Sequence, residues 1–290
     1  MSPRTLSGRS ALAGILGWPV AHSRSPRLHG FWLERHRIDG AYLPLPVRPE
    51  RFADAVRSLR DLGFRGANVT IPHKEAALAV CDEVDNAARR AGAVNTLVFR
   101  ADGAIAGSNT DGWGFLQGLR QVVPGVSIAA TPVTVLGAGG SARAIAAALL
   151  DAGCPRLAFV NRTRSRAEAL CAALGGPVQA AGWDEAPDLL SATRLLINAT
   201  SLGMTGTSSP DLPLDRLPAE AVVADIVYVP RITGLLAAAA ARGLRTVGGL
   251  PMLLHQARPG FHAWFGLDPQ VDEELACFVA GDVPETAEAA

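Results

Sequence analysis

Residues 133–153 read VTVLGAGGSARAIAAALLDAG. A short aliphatic run feeds directly into a glycine-rich turn, and the turn into a long alanine-rich helix. Gly137, Gly139 and Ala142 stand in G-x-G-x-x-A spacing. The first glycine makes the tight turn and the second lets backbone approach a pyrophosphate. The third small residue lets the helix pack on the strand, and the helix N-terminus favours the anion. Glycine turns also serve as plain packing devices, but strand, turn and helix in this order point to dinucleotide binding. A strand–turn–helix of this kind belongs to a parallel sheet covered by helices.

The remainder of the chain keeps that alternation, so an α/β class is expected. At 290 residues it has the length of two domains. Before the glycine turn the pattern predicts strands at 11–17, 41–47 and 66–71 and helices at 25–37, 50–63 and 73–84. A hairpin follows at 93–109 around Ala101-Asp102-Gly103, then a helix from about Gly112. Residues 122–132, VVPGVSIAATP, are the best linker candidate. After the turn, strands are expected in RLAFVNR, RLLINAT, AVVADIVY and RTVGG.

Charge excludes one class of partner. Lysine plus arginine and aspartate plus glutamate number 27 each, and a phosphate-tracking surface needs clustered excess cations. Nucleic acid is therefore not expected. The four cysteines fall in no metal-ligand spacing and fit reduced thiols in a cytoplasmic protein. His22, His29, His73 and His255 lie near motifs, but no pair has defensible ligand geometry, and no metal is expected. Arg4 and Arg9 before ALAGILGWPVA imitate an export signal, but the run is short and broken by glycine and proline. No stretch reaches the length of a membrane helix. Asp282–Ala290 reads as a frayed tail. Trp113, Trp264 and Phe265 are expected in the core.

The end of the strand after the glycine turn selects the cofactor. An NAD site carries a carboxylate there for the ribose 2′-hydroxyl. Here the run is Asn161-Arg162-Thr163-Arg164-Ser165-Arg166. Charge-assisted bonds of about 1.5–3 kcal/mol each would favour a 2′-phosphate, and hence NADP. Arg162 and Arg166 are the expected contacts, whereas Arg164 reads as a solvated helix start.

Other residues look misplaced for structure alone. In Ser23-Arg24-Ser25-Pro26 an extended backbone would point both hydroxyls one way. Ser25 reads as a helix N-cap and Pro26 as the first helical residue. Either Ser25 is only a cap, or the two hydroxyls at a positive helix end receive a carboxylate. In GANVTIPHK, Pro72 as a first helical residue puts Lys74 in the first turn, where a cation opposes the macrodipole by about 0.3–1 kcal/mol. A paired or catalytic lysine is the better reading. Asp111 reads as a helix cap, and Asn95 and Asn198 as polar groups at strand ends, where open α/β sheets bind ligands.

GWPVAHSRSPRLH, GANVTIPHK, GAVNT, GSNTDGWG, GAGGSARA, NRTRSR, NATSLGM, DIVY and GGLPMLLHQA occur in this order over roughly residues 11–270. Together they resemble the shikimate dehydrogenase family. One departure is Gly30 after His29, where the family usually has Asn; a packing change in that helix is expected. The resemblance implies reversible NADPH-dependent reduction of 3-dehydroshikimate in aromatic amino-acid biosynthesis, with NADP(H) as cofactor. It implies an N-terminal α/β substrate domain, 1–113 plus 249–290, and a Rossmann-type NADP-binding domain, 114–248, with the active site in the cleft between them. Lys74 and Asp111 would be the acid/base pair. Ser23, Ser25 and Tyr228 would hold the substrate carboxylate, and Thr70, Asn95 and Gln256 the ring hydroxyls. The cofactor would lie on Gly137, Ala138, Gly139, Gly140, Ser141, Ala142, Asn161, Arg162, Thr163 and Arg166, with Thr200, Met204 and Gly249 further along. Met204 and Met252, in motif segments, are expected to pack near the nicotinamide or the cleft, as shape more than chemistry. A homodimer is compatible with this pattern. The rivals are a broader quinate/shikimate dehydrogenase and a non-catalytic NADP-binding sensor; Lys74, Asp111 and Gln256, all retained, weigh against the latter.

Overall fold

The computed structural model describes residues 5–286; Arg4 and residues 287–290 lie outside them. The chain divides into two compact units, Met1–Thr110 with Gln256–Val279, and Asp111–His255 with Ala280–Ala290. The first contains β1 (Ala11–Gly17), α1 (Ser25–Arg35), β2 (Gly40–Pro46), α2 (Phe52–Asp61), β3 (Gly66–Val69), β4 (Glu83–Val84), α3 (Asn86–Ala91), β5 (Thr96–Phe99) and β6 (Ile105–Ser108). The second contains α4 (Asp111–Val122), β7 (Val133–Leu136), α5 (Gly140–Asp151), β8 (Leu157–Val160), α6 (Arg164–Leu174), β9 (Val178–Ala181), α7 (Ala186–Leu190), β10 (Leu195–Asn198), β11 (Val222–Asp225), α8 (Gly234–Ala241) and β12 (Arg245–Val247). Helices α9 (Leu250–Phe265) and α10 (Glu273–Ala280) complete the chain.

The first sheet is mixed, in the order β2-β1-β3-β5-β6-β4. Strands β1, β2 and β3 run parallel, whereas β3–β5 and β5–β6 are antiparallel. Leu16, Val56, Ala67, Val94 and Leu97 pack on one side of it. The second sheet is parallel throughout, β12-β11-β10-β7-β8-β9, the doubly wound order of a Rossmann-type domain. Its four central strands β7, β8, β10 and β11 are buried at every position. Helices on both faces dictate such runs. Each aliphatic side chain so buried contributes about 1.5–3 kcal/mol.

Several expectations are corrected. Residues 73–84 form no α-helix: a 3-10 turn occupies Ala76–Val80 and the short strand β4 ends the segment. Pro72 and Lys74 both lie in the turns before it, so the macrodipole argument for Lys74 does not apply. Strand β9 and helix α3 are additional elements; the side chain of Asp85 caps α3 by accepting from the Ala88 amide at 2.7 Å. The 122–132 segment lies within the second unit and buries Ile128 in its core. Trp264 is fully buried, but Trp113 is 38% exposed. The tail is held as far as Thr286: Pro284 and Glu285 accept from the amides of Arg231 and Ile232, and Ile232 bridges Thr286.

The unit boundaries also differ from 113 and 249. Leu250–His255 pack with the second unit: a Cβ on Gly118 would lie 2.9 Å from Pro251, and His255 Nε2 is 2.9 Å from Gln121 Oε1. At Gly30 a Cβ would meet no atom within 4 Å, so the missing side chain leaves no hole and α1 runs through it unbroken.

Candidate functional site

Strand direction collects the first unit's candidates at one edge of its sheet. Ser23 and Ser25 follow the C-terminal end of β1, and Thr70 and Lys74 that of its parallel neighbour β3. Asn95 precedes β5, which runs antiparallel to β3, so it reaches the same edge. Strand β6 ends there too, since Ser108 pairs with Thr96. The next residues are Asn109 and Thr110, then Asp111, which is buried and opens α4.

The local geometry departs from the sequence reading at the serines. Arg24 has φ −87° and ψ −7°, so 23–25 turns instead of extending. Ser25 is the first helical residue, and the Ser25 amide donates to Ser23 Oγ at 3.2 Å. Ser23, not Ser25, is therefore the hydroxyl that satisfies a free helix-end amide. Ser25 is buried, whereas Ser23, Thr70, Lys74 and Gln256 are half-buried.

Asn95 joins several of these groups. Its Oδ1 accepts from Thr96 Oγ1 at 2.9 Å and from the Thr110 amide at 3.0 Å, and its Nδ2 donates to Thr110 Oγ1 at 3.0 Å. Thr110 Oγ1 in turn donates to the backbone oxygen of Gln256 at 2.8 Å. His73, beside Lys74, is pinned by Nε2 2.7 Å from the Val47 oxygen and by stacking on Phe52.

In the second unit strands β7, β8, β10, β11 and β12 deliver the candidates to the C-terminal edge. The turn after β7 holds Gly137 at φ +104°, a conformation that favours glycine. A Cβ on Gly139 or Gly140 would meet nothing within 4 Å, while Ala142 is fully buried. The turn thus leaves room for an anion in front of α5. After β8, Asn161 Nδ2 donates to the Thr163 oxygen at 2.8 Å. Arg164 is committed to Glu168 and Glu185, at 3.0 and 2.5 Å, whereas Arg162 lines a cavity of about 520 Å³ with Asn161 and Thr200. Trp183, Ser201, Leu202, Ser209, Pro210 and Asp211 complete its wall. Ser201 and Leu202 lie in the NATSLGM motif; no local pattern marks the others. Met204 is 45% exposed, and Gly249 is buried where a Cβ would lie 2.2 Å from the Ile226 oxygen.

Asp225, the first residue of the DIVY motif and given no role from the sequence, organises this edge. Its Oδ1 accepts from Asn198 Nδ2 at 3.0 Å and from the Val227 amide at 2.9 Å, and its Oδ2 from Thr233 Oγ1 at 2.8 Å. Asn198 Oδ1 receives both the amide and the hydroxyl of Thr200. Burial pushes the Asp225 carboxyl above its ordinary range, and those three bonds oppose the shift. Asp225 thereby holds the β10 loop containing Thr200 and the segment leading to Tyr228.

Comparison with known proteins agrees with both halves. The family described as shikimate dehydrogenase substrate binding domain matches residues 15–97, and the shikimate / quinate 5-dehydrogenase family matches residues 120–210. A protein of Paramagnetospirillum magneticum named shikimate dehydrogenase (NADP(+)) is 58% identical over 274 residues, 94% of this chain and 99% of its own. The structure of shikimate 5-dehydrogenase from Thermus thermophilus in complex with NADP(H) and shikimate has a TM-score of 0.82 at 39% identity, covering 94% of this chain and 99% of that one. Quinate dehydrogenase from Corynebacterium glutamicum in complex with NAD has a TM-score of 0.87 at 31% identity, covering 94% and 99%.

Proposed function

Because this chain belongs to the shikimate dehydrogenase family, we propose that it catalyses the reversible NADPH-dependent reduction of 3-dehydroshikimate to shikimate, a step of aromatic amino-acid biosynthesis. The observation that carries this reading is the sorting of polar chemistry along the chain. One sheet edge collects hydroxyls, amides and a lysine; the other collects an open glycine turn and a basic loop with no carboxylate at its ribose position.

In the first unit Ser23 and Ser25 receive the substrate carboxylate, while Thr70, Asn95 and Gln256 bind ring hydroxyls. Tyr228 adds a further hydroxyl for the carboxylate. Lys74 and Asp111 are the acid/base residues that hold the proton exchanged with the C3 oxygen, and Lys74 stabilises negative charge developing there. In the second unit the amides after Gly137 and the α5 N-terminus take the pyrophosphate. Arg162, with Asn161, Thr163 and Arg166, takes the 2′-phosphate. Thr200, Met204 and Gly249 shape the nicotinamide end. NADPH, when bound, supplies the hydride, and the protein supplies orientation and electrostatics. The cysteines at 81, 154, 171 and 277 are all unpaired, which supports placing the reaction in a reducing cytoplasm. Among the described residues no helix is long and apolar enough to cross a membrane.

The test crosses shikimate and quinate with NADP⁺ and NAD⁺ while following nicotinamide absorbance. Shikimate with NADP⁺ should turn over at least about tenfold faster than the other pairings, as differential recognition of the 2′-phosphate and the ring requires. Preference for quinate or NAD⁺ would replace this reading with the sister activity. NADP⁺ binding without turnover would make the protein a sensor. Sedimentation of the purified protein decides between monomer and homodimer.

A further inference from the structure

A tyrosine and an asparagine lie on the first unit's sheet, at positions where aliphatic side chains would pack without any polar group to satisfy. Both flank β1: Tyr42 on β2 lies opposite Ala13, and Asn68 on β3 opposite Ile15. Residues 13 and 15 share a face, so the Tyr42 ring crosses β1 over the small Ala13 to reach Asn68.

There the Tyr42 hydroxyl donates to Asn68 Oδ1 at 2.6 Å. Burial raises the Tyr42 pKa well above its ordinary value, so the phenol stays protonated, with the Ser25 side chain as its second polar neighbour. Asn68 Nδ2 donates to the Asn95 backbone oxygen and to Thr96 Oγ1, both at 3.1 Å. From Thr96 the bonds continue through the Asn95 side chain and Thr110 to the Gln256 backbone. The amide hydrogens of Asn68 are thus both used, and its oxygen accepts from Tyr42.

The wall around the ring is aromatic. His29 stacks on Tyr42 with centroids 4.0 Å apart, and its ring nitrogens have no hydrogen-bond partner. Burial lowers the His29 pKa to about 3, against a weaker opposing influence of the Asn68 side chain, so the imidazole is neutral. Trp264 and Phe261 close the cluster.

Each donor in this buried chain has its acceptor, and displacing any member leaves a polar group unpaired. Sheet stability does not require it, since an apolar pair of the same shape can serve as well. We propose that Tyr42 and Asn68 are positioning residues for substrate recognition: their bonds set Ser25, Asn95 and the Gln256 turn of α9 in the mutual register that a cyclic polyhydroxy carboxylate requires. This rests on the functional reading above and deepens it.

Tyr42→Phe removes one oxygen and keeps the ring on His29. KM for shikimate should rise at least about fivefold and kcat fall less than about threefold, with NADP⁺ affinity unchanged, the signature of lost substrate registration. Asn68→Ala should show the same split more strongly, and Tyr42→Phe added to it should cost nothing further. Unchanged shikimate kinetics in Tyr42→Phe, even with a lowered melting temperature, would make the pair structural only and overturn the proposal. Additive losses in the double variant would overturn it as well. Wild-type turnover of shikimate is the control, and its absence sinks the functional reading, not the relay. The relay is read independently from hydrogen exchange at the Thr110 amide, which Asn95 Oδ1 holds: faster exchange in Asn68→Ala supports it, and unchanged exchange refutes it.

Discussion

The two sheets treat polar groups in opposite ways. In the second unit the central strands are apolar along nearly their whole length, and the chemistry begins where they end, at Gly137, Asn161, Asn198 and Asp225. In the first unit polar side chains enter the sheet itself: Asn68 on β3 and Thr96 on β5 are paired strand residues and almost fully buried. The physical cause is the covering of the strands. A parallel sheet with helices on both faces excludes unpaired polar groups from its interior and leaves the strand ends for ligands. The mixed first sheet admits them because every donor in the Tyr42–Asn68–Thr96 chain has its acceptor.

The sharpest way to test this contrast is to remove the lysine of the first unit. Lys74→Ala should lower kcat by at least about 10²-fold and leave NADP⁺ affinity unchanged; a parallel loss of cofactor binding in a titration would dissolve the division of roles. The next effect is one of pH. The His29 pKa is depressed from 6.5 to about 3, so the unfolded chain binds a proton that the folded chain refuses between those values. Its contribution to stability is complete above pH 6.5 and declines as pH falls toward 3, by about 1.4 kcal/mol per pH unit. Urea denaturation of His29→Phe across that window should show a shallower dependence; identical slopes would mean His29 is not the group responsible.

For the second unit, Asp225→Ala removes the acceptor of three bonds. We expect the Kd for NADPH to rise about tenfold, because bonds to a charged group contribute about 1.5–3 kcal/mol. Fluorescence titration reads it, and wild-type affinity would show that the β10 loop holds itself. The smallest contrast separates neighbours in the basic loop. Arg162→Ala should raise KM for NADPH about tenfold and spare kcat, while Arg164→Ala, whose exposed guanidinium only pairs with Glu168 and Glu185, should stay within about twofold. Equal effects would mean the loop acts as a diffuse charge.

In the second unit the sequence alone determined the central strands and the glycine turn, but not β9 or the role of Asp225. The unit's apolar strands, its glycine turn and its run of arginines after β8 are each set by residues adjacent along the chain, and local signals of that kind survive without tertiary knowledge. In the first unit the motif residues were legible, but not what supports them. The segment 73–84 reads as a helix by composition yet is a 3-10 turn and a short strand, because β4 pairs with β6, and pairing at that separation overrides local propensity. Asp225 lies in a motif but looks like any strand-end carboxylate until Asn198, Val227 and Thr233 meet it. Tyr42 and Asn68 are 26 residues apart, and only the passage of β1 between them decides that the tyrosine reaches the asparagine.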